Sequence, residues 1–499
     1  MKAINKHSKN TLGIICIGLL FLSYSCEKEL EEISYDQFSE TSFYKTPEDA
    51  KLAVTAVYST LNPDGYSIYG SGANSITVQS SATTDEIVCS WGDPVWIPFY
   101  QLNFSEDFPS GALNSNYEKL MPAITNATIT IDKLSKMTSI GSELKNRYIG
   151  EVKALRAHYS WILYNFYGPV SLRLDAKEAA NPNAAPIPRL SKEEMVKQIE
   201  KDYNEALISL PAAINQTAGD YGRMTKEVCL MGLVKLYMHE KRWQDVIING
   251  KILQGMGHNL QPSYSSVFTY ENNGNKQEVL FAIPTRMDAN SSNLWLAHAL
   301  PGNYSDPNGK SLTQWGGYKI PWKTYDKFDQ RDKRLEKLIT KWQTEGGSTF
   351  DARANKYIGA IPVKYGTDPN ATDESMGVNI IIWRYSDVLL SLAEAINEAS
   401  GPTSEAYELV KQVRNRAGLD GLPSGLSKDQ FRSKLMDERL FEFWCEGGIR
   451  REDMIRWGTY IQRAKDDGST FVKPEFVLYP IPRKVINETN GIIKQNTGY

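Results

Sequence analysis

The residues of this 499-residue chain best suited to chemistry are aromatic and fall outside any helical spacing. Trp91, Trp96 and Tyr100 lie in the stretch "TTDEIVCSWGDPVWIPFYQLNF", and Trp295, Trp315 and Tyr318 lie in a later stretch punctuated by Gly, Asn, Ser and Pro. Asp85, Asn103, Asn293 and Gln314 stand beside them in sequence. Flat rings cover the apolar C–H faces of a sugar, while short amides and carboxylates reach its rim of hydroxyls. Each ring contributes on the order of 1 kcal/mol. Two or three rings with a few hydrogen bonds therefore give modest affinity, as a protein that captures and then releases a ligand requires. For any single ring, burial under its own loop is the competing reading; for the set, two or three solvent-facing rings are expected.

Catalytic patterns are weaker. A glycoside hydrolase needs two carboxylates at a fixed separation, and no local motif singles out a pair among acids scattered along the whole chain. His239-Glu240 is not followed by the second histidine of a zinc-protease helix. Gly65-Tyr66-Ser67-Ile68-Tyr69 lacks the last glycine of a nucleophile elbow, and "GSGANS" from Gly70 lacks the third glycine and the lysine of phosphate-binding loops. The chain reads as a binding protein, not an enzyme, with no cofactor and no metal site.

Composition places this chemistry on a large body behind an export signal. Lys2, Lys6 and Lys9 precede the apolar run Thr11 to Leu22, and Ser25 precedes Cys26, the layout of a bacterial secretory signal. The run is shorter than the ~20 residues a membrane span needs. A cysteine directly after the cleavage point is the residue a lipoprotein pathway acylates, so Cys26 is the expected lipidated N-terminus, although Ser23 stands where a branched aliphatic residue is usual. Glu27, Lys28, Glu29, Glu31 and Glu32 then form a solvated tether. Removal of residues 1–25 takes away three lysines and no acid, moving the formal charge from −3 to −6, and no basic cluster points to nucleic acid. Beyond the signal and anchor only Cys89, Cys229 and Cys445 remain, which read as buried free thiols.

Helical periodicity dominates the elements that must position the rings. Thr46-Pro47-Glu48-Asp49 opens a helix as N-cap, N1 proline and acidic first turn. Tyr117, Leu120, Ile124, Ile131 and Leu134 share one face of a second helix. "RYIGEVKALRAHYSWILYNFYGPV" runs helical to Gly168-Pro169, and Ser191 with Glu194 forms a capping box. "TKEVCLMGLVKLYMHEKRWQDVIINGKIL" has the shape of a tetratricopeptide hairpin, with no strict repeat along the chain. From 257 to 379 the pattern breaks into loops around one expected strand, "EVLFAIP". Helices resume at "IIWRYSDVLLSLAEAINEA", one ends at Gly418, and Ser427 with Gln430 caps another.

The ordered stretches "WRYSDVLLSLAEAINE", "VKQVRNRAGL", "DERLFEFWCEGGIRREDMIRWG" and "LYPIPRKVINETNGIIKQNTGY" resemble the motifs of the SusD/RagB family of Bacteroidetes outer-membrane nutrient-binding lipoproteins. "FYKTPEDAKLAVTAVYSTL", "EVKALRAHYSWILYNFYGPV", "GRMTKEVCLMGLVKLY" and "YDKFDQRDKRL" extend the resemblance over nearly all of the mature chain. Ser386, Ile396, Cys445 and "NETN" depart from the family pattern at scaffold positions. The resemblance implies a mostly α fold of tetratricopeptide-like helix pairs with a loop-rich insertion and little β-structure. It also implies a lipid-anchored protein of the outer membrane that delivers a glycan to a SusC-like TonB-dependent transporter. The acids after Cys26 resemble the sorting signal of surface lipoproteins of that phylum; an acidic linker with no address is the competing reading. Peptide-binding relatives leave a peptide ligand as the alternative.

The resulting organisation is a signal over 1–25, a tether over 26–45 and a SusD-like domain over 46–499. Within the domain, helical scaffold covers 46–256 and 380–460, the loop-rich binding part covers 257–379, and a tail covers 461–499. Arg384, Arg414, Arg416, Glu438, Arg439, Glu446 and Arg450 are read as packing and ion-pair networks and not as ligand contacts. The loops 81–104 and 285–322 are expected to meet on one exposed face, with Trp96 and Trp315 leading the stacking.

Overall fold

The computed structural model describes residues 43–63, 67–288 and 290–499; the signal, Cys26 and the acidic tether lie outside them. Helices supply most of the scaffold. The chain opens with α1 (Pro47–Tyr58), where Thr46 and Asp49 exchange the two hydrogen bonds of a capping box. It continues through α2 (Ile76–Ala82), α3 (Trp96–Gln101), α4 (Ala112–Lys136), α5 (Ser142–Tyr167) and α6 (Lys192–Leu207), the last opened by the Ser191–Glu194 box. Then follow α7 (Lys226–His239), α8 (Trp243–Gln254), α9 (Tyr385–Ser400), α10 (Ser404–Arg416), α11 (Lys428–Phe443), α12 (Ile449–Trp457) and α13 (Tyr460–Asp466).

From α4 to α10 each of these helices packs on the next, so antiparallel pairs stack side by side in the manner of a helical repeat array. The packing of α6 on α7 shows why the sequence folds that way. A Cβ on Gly232 of α7 would lie 2.4 Å from the Tyr203 ring of α6, so glycine is what lets the two helices approach. Tyr385, Leu389, Leu392 and Ile396 are buried along α9, as their spacing requires. No helix among the described residues is long and apolar enough to cross a membrane.

The loop-rich part is more ordered than its composition indicates. Besides β2 (Val279–Ile283), the expected strand, it holds β3 (Tyr318–Pro321), β4 (Leu338–Ile339), β5 (Lys341–Gln343), β6 (Thr349–Asp351) and β7 (Gly359–Pro362). These are two to five residues long, too short for an alternating pattern to show in sequence. A further strand, β8 (Ile380–Arg384), occupies the start of the stretch read as helix; its three consecutive isoleucines are β-branched and pair antiparallel with β2, and α9 begins only at Tyr385. β1 (Val88–Cys89) joins β3, β7 and β4 in a four-stranded antiparallel sheet.

Of the charges predicted to be structural, Arg384, Arg414, Arg416, Glu438 and Glu446 join five others in a largely buried network. Arg334, Lys364, Arg384, Arg414 and Arg416 pair with Glu278, Asp332, Glu438, Glu442 and Glu446. Arg384 is fully buried at its centre, donating from Nε to Glu446 Oε2 at 2.7 Å, from Nη2 to the Glu442 carbonyl at 2.7 Å and from Nη1 to Glu278 Oε1 at 3.1 Å. Arg439 forms a second centre with Asp387 and Asp453. Cys89, Cys229 and Cys445 are free thiols, Cys89 half-buried and the others buried.

Candidate functional site

Residues 81–104 and 285–322 do meet. β1 pairs with β3, Cys89 opposite Tyr318 and Val88 opposite Lys319. Beyond the strand, Ser90 Oγ donates to the Gly316 carbonyl at 2.9 Å and Trp91 Nε1 donates to the Trp315 carbonyl at 2.8 Å. A one-turn helix, Trp295–Ala299, supports the second loop: Trp315 N–H donates to Ala297 O at 2.7 Å and Gly317 N–H to His298 O at 2.8 Å. The Trp315 backbone is thereby held from both sides while its side chain stays 42% exposed.

Trp315 and Trp91 form the open part of an aromatic platform. The Trp315 ring stands edge-on to His298 at 4.6 Å between centroids, and Trp91 contacts the rings of His298, Tyr318 and Trp96 at 5.5, 5.7 and 5.8 Å. Gly317 makes room for Trp91: a Cβ there would sit 2.5 Å from the indole, so any side chain would displace it. His298 is nearly buried, with Nδ1 against the Leu294 carbonyl, and burial lowers its pKa to about 4, so the platform has a neutral imidazole at its centre. Beneath the loop, Lys319 Nζ donates to the Gly316 carbonyl at 2.5 Å, and burial brings its pKa down to about 8.

The structure corrects several of the candidates. Trp96 is 6% exposed, packed between Trp91, Phe99 and Tyr318, and is core instead of the leading stacking residue. Trp295 and Tyr318 are also buried, with Trp295 Nε1 donating to Pro362 O and the Tyr318 hydroxyl to Ser71 O. Asp85 is buried and bidentate with Arg450 at 2.8 Å; burial opposes its charge, but the guanidinium prevails and holds its carboxyl well below the usual range. Asn293 is buried and its Oδ1 accepts from Trp295 N–H, fastening the one-turn helix. Gln314 is half-buried with both amide atoms bonded to the Tyr304 backbone. Tyr100 is half-buried, its hydroxyl between Lys323 and Asp467 and its ring under Arg463 at 4.8 Å. Asn103 is half-buried just after α3, its N–H donating to Pro98 O. Sequence reasoning missed His298, Ser90 and the glycines; the Trp315-Gly316-Gly317 run, with Gly316 at φ +65°, was the available sign of a tight backbone approach.

A larger cavity, about 320 Å³, lies away from the platform between the end of α1 and the end of β2. Among the described residues it offers a single aromatic ring, Tyr58, whose hydroxyl is committed to Glu151, and so no paired rings for a sugar.

Glu86 sits under the same loop as Trp91. Its Oε2 accepts from Ser81 Oγ at 2.7 Å and from Cys445 N–H at 3.0 Å, its Oε1 is buried without a partner, and burial pushes its pKa up to about 7. Since the folded value lies above the unfolded one, the stability contributed below about pH 4.5 is lost as pH rises through about 7. Glu86→Gln keeps the acceptor and removes the charge. The variant is expected to be more stable than its parent at pH 8, by roughly 3 kcal/mol, with the difference vanishing near pH 4. Thermal melts across that range check both the sign and the window.

Comparison with known proteins gives this architecture its relatives. The SusD family model matches residues 254–499. "SusD-like protein P25" of Formosa agariphila is 23% identical, the alignment covering 97% of this chain and 99% of that one. The C-terminal half of the chain, residues 254–499, is thus a SusD-family region. Among solved structures of SusD-like proteins, a SusD homolog from Bacteroides thetaiotaomicron superposes with a TM-score of 0.78 at 22% identity, covering 92% of this chain and 99% of that one. Surface glycan-binding protein A from the same species, in complex with laminarihexaose, superposes with a TM-score of 0.73 at 20% identity, covering 91% of this chain and 100% of that one. The mostly helical SusD fold expected from the sequence motifs is the fold observed.

Proposed function

We propose that this chain is a lipoprotein, anchored at the outer membrane through Cys26, that binds a glycan on the Trp91–Trp315 platform without cleaving it. It then passes the glycan to a SusC-like TonB-dependent transporter. The observation that carries the reading is the platform itself. The backbone of an exposed indole is held by Trp91 Nε1 and Ala297 O, and its ring stands edge-on to His298 beside a second, half-buried indole, which lowers the ordering cost left to the ligand. The family supports it, as does the laminarihexaose complex of a protein with the same fold. Two or more acyl chains hold a protein stably on a membrane where one chain does not, which makes a lipidated Cys26 the residue that decides location.

One experiment addresses location, binding and chemistry together. Cys26→Ala is expected to release the body in soluble form, retarded in native gels containing its polysaccharide, with polymer length unchanged after long incubation. Membrane partitioning of this variant in cells lacking the transporter would refute the anchor. Retardation by no polysaccharide in a broad panel, laminarin included, would refute the ligand class. New reducing ends that co-purify with the protein would refute binding without catalysis.

A further inference from the structure

The platform borders a recess. A cavity of about 150 Å³ opens between α2, β1 and α3, walled by Ala82, Ile87, Val88, the weakly polar thiol of Cys89, Trp96 and Ile97, with Tyr100 and Gln101 completing the lining. An apolar void of that size admits a group as large as benzene. What fills it follows from three features. Its polar side-chain atoms are largely committed or hidden: the Tyr100 hydroxyl is held by Lys323 and Asp467, and Trp96 Nε1 is buried. A bare sugar hydroxyl placed against the carbon walls, and not at the Gln101 amide, would exchange water for carbon, weakening binding about tenfold or more. Ile97 is 68% exposed, an apolar side chain that gains from being covered. The recess also lies one ring away from the platform: Trp96 is at once its wall and the edge-on neighbour of Trp91 at 5.8 Å.

We infer that the recess is a subsite for an acyl substituent, an O-acetyl ester or a similarly short acyl group, carried by the glycan that binds the platform. The inference rests on the glycan-binding reading and specifies its ligand class. A hydrocarbon tip on an ester matches carbon walls where an unsubstituted hydroxyl does not, and Gln101 provides the one side-chain amide of the lining for the ester carbonyl. Each buried methyl group contributes about fourfold in affinity.

The test presents each polysaccharide twice to the soluble full-length protein carrying Cys26→Ala: acetylated xylan, acetylated glucomannan, acetylated pectin and chemically O-acetylated laminarin, each also after mild alkaline saponification. The captured glycan is expected to bind about fourfold or more tightly in its acetylated form. Ile97→Asp, at an exposed position that the fold does not need, is expected to erase that ratio and leave saponified-glycan affinity unchanged, while Ile97→Val keeps the ratio. Equal or tighter binding of the saponified form overturns the acyl subsite and leaves the platform standing. The same holds for an unchanged ratio in Ile97→Asp. Failure of every polysaccharide in both forms overturns the platform reading and the subsite with it.

Discussion

Arg384→Met is expected to cost about 3–5 kcal/mol of stability, the range for removing one partner from a buried ion pair. The lost methylene packing is small, since methionine replaces most of it; the cost comes from the partners left behind. Glu442 and Glu446 would face a dry interior with one guanidinium fewer, and the balance of five cations against five acids would become four against five. A carboxylate in that position takes up a proton, so the deficit should be larger at pH 8 than at pH 5. Arg414, 19% exposed at the edge of the network, supplies the graded comparison: Arg414→Met should cost about 1 kcal/mol. Urea titrations at the two pH values measure both effects. An Arg384→Met chain that unfolds within 1 kcal/mol of its parent would mean the network is hydrated and not a structural centre. Should Arg384→Met not fold, Arg416→Met, at the flank of the same acids, gives the reading in its place.

The second large effect separates two residues of one type in the same pair of loops. Trp96→Ala removes an indole that is packed against Phe99 and Tyr318, and a loss of about 3–5 kcal/mol is expected. Trp315→Ala removes one that is 42% exposed and should leave the melting temperature nearly unchanged. Glycan affinity should fall about fivefold in Trp315→Ala, equivalent to ~1 kcal/mol of stacking. Calorimetric melts and gel retardation on the two purified variants give the four numbers. Parental affinity in Trp315→Ala would remove the platform from the site, and a parental melt for Trp96→Ala would remove that ring from the core.

This pair marks where sequence reading runs out. Thr46 as an N-cap and the capping boxes of Ser191 with Glu194 and Ser427 with Gln430 were legible because caps are closed by residues within one turn. The meeting of the two aromatic loops was legible from their shared composition. Which rings face outward was not, because cover for Trp96 comes partly from Tyr318, far along the chain, and nothing within residues 81–104 encodes it. Asp85 was misread for the same reason: its partner Arg450 lies 365 residues away, and each residue taken alone has an ordinary context. The short strands of 338–362 escaped notice because two to four residues carry no period, and the register of β7 between β3 and β4 is set by the sheet as a whole.

The charged centre around Arg384 also sets an order of events in time. Its pairs are far apart along the chain, 82 residues for Lys364 with Glu446 and 138 for Arg416 with Glu278. Contacts of such separation form late, because loop closure precedes any gain from them. Water cannot leave the region while a carboxylate there lacks its partner. The stack from α4 to α8, built from neighbours, has no such wait, so it should gather first, and the sheet should dry only once Glu446 has arrived. Pulsed hydrogen exchange during refolding is expected to show protected amides in α5 and α7 before β3 and β7; simultaneous protection would contradict this order. The platform, whose Trp315 loop leads into β3, would then be among the last parts of the molecule to take its final form.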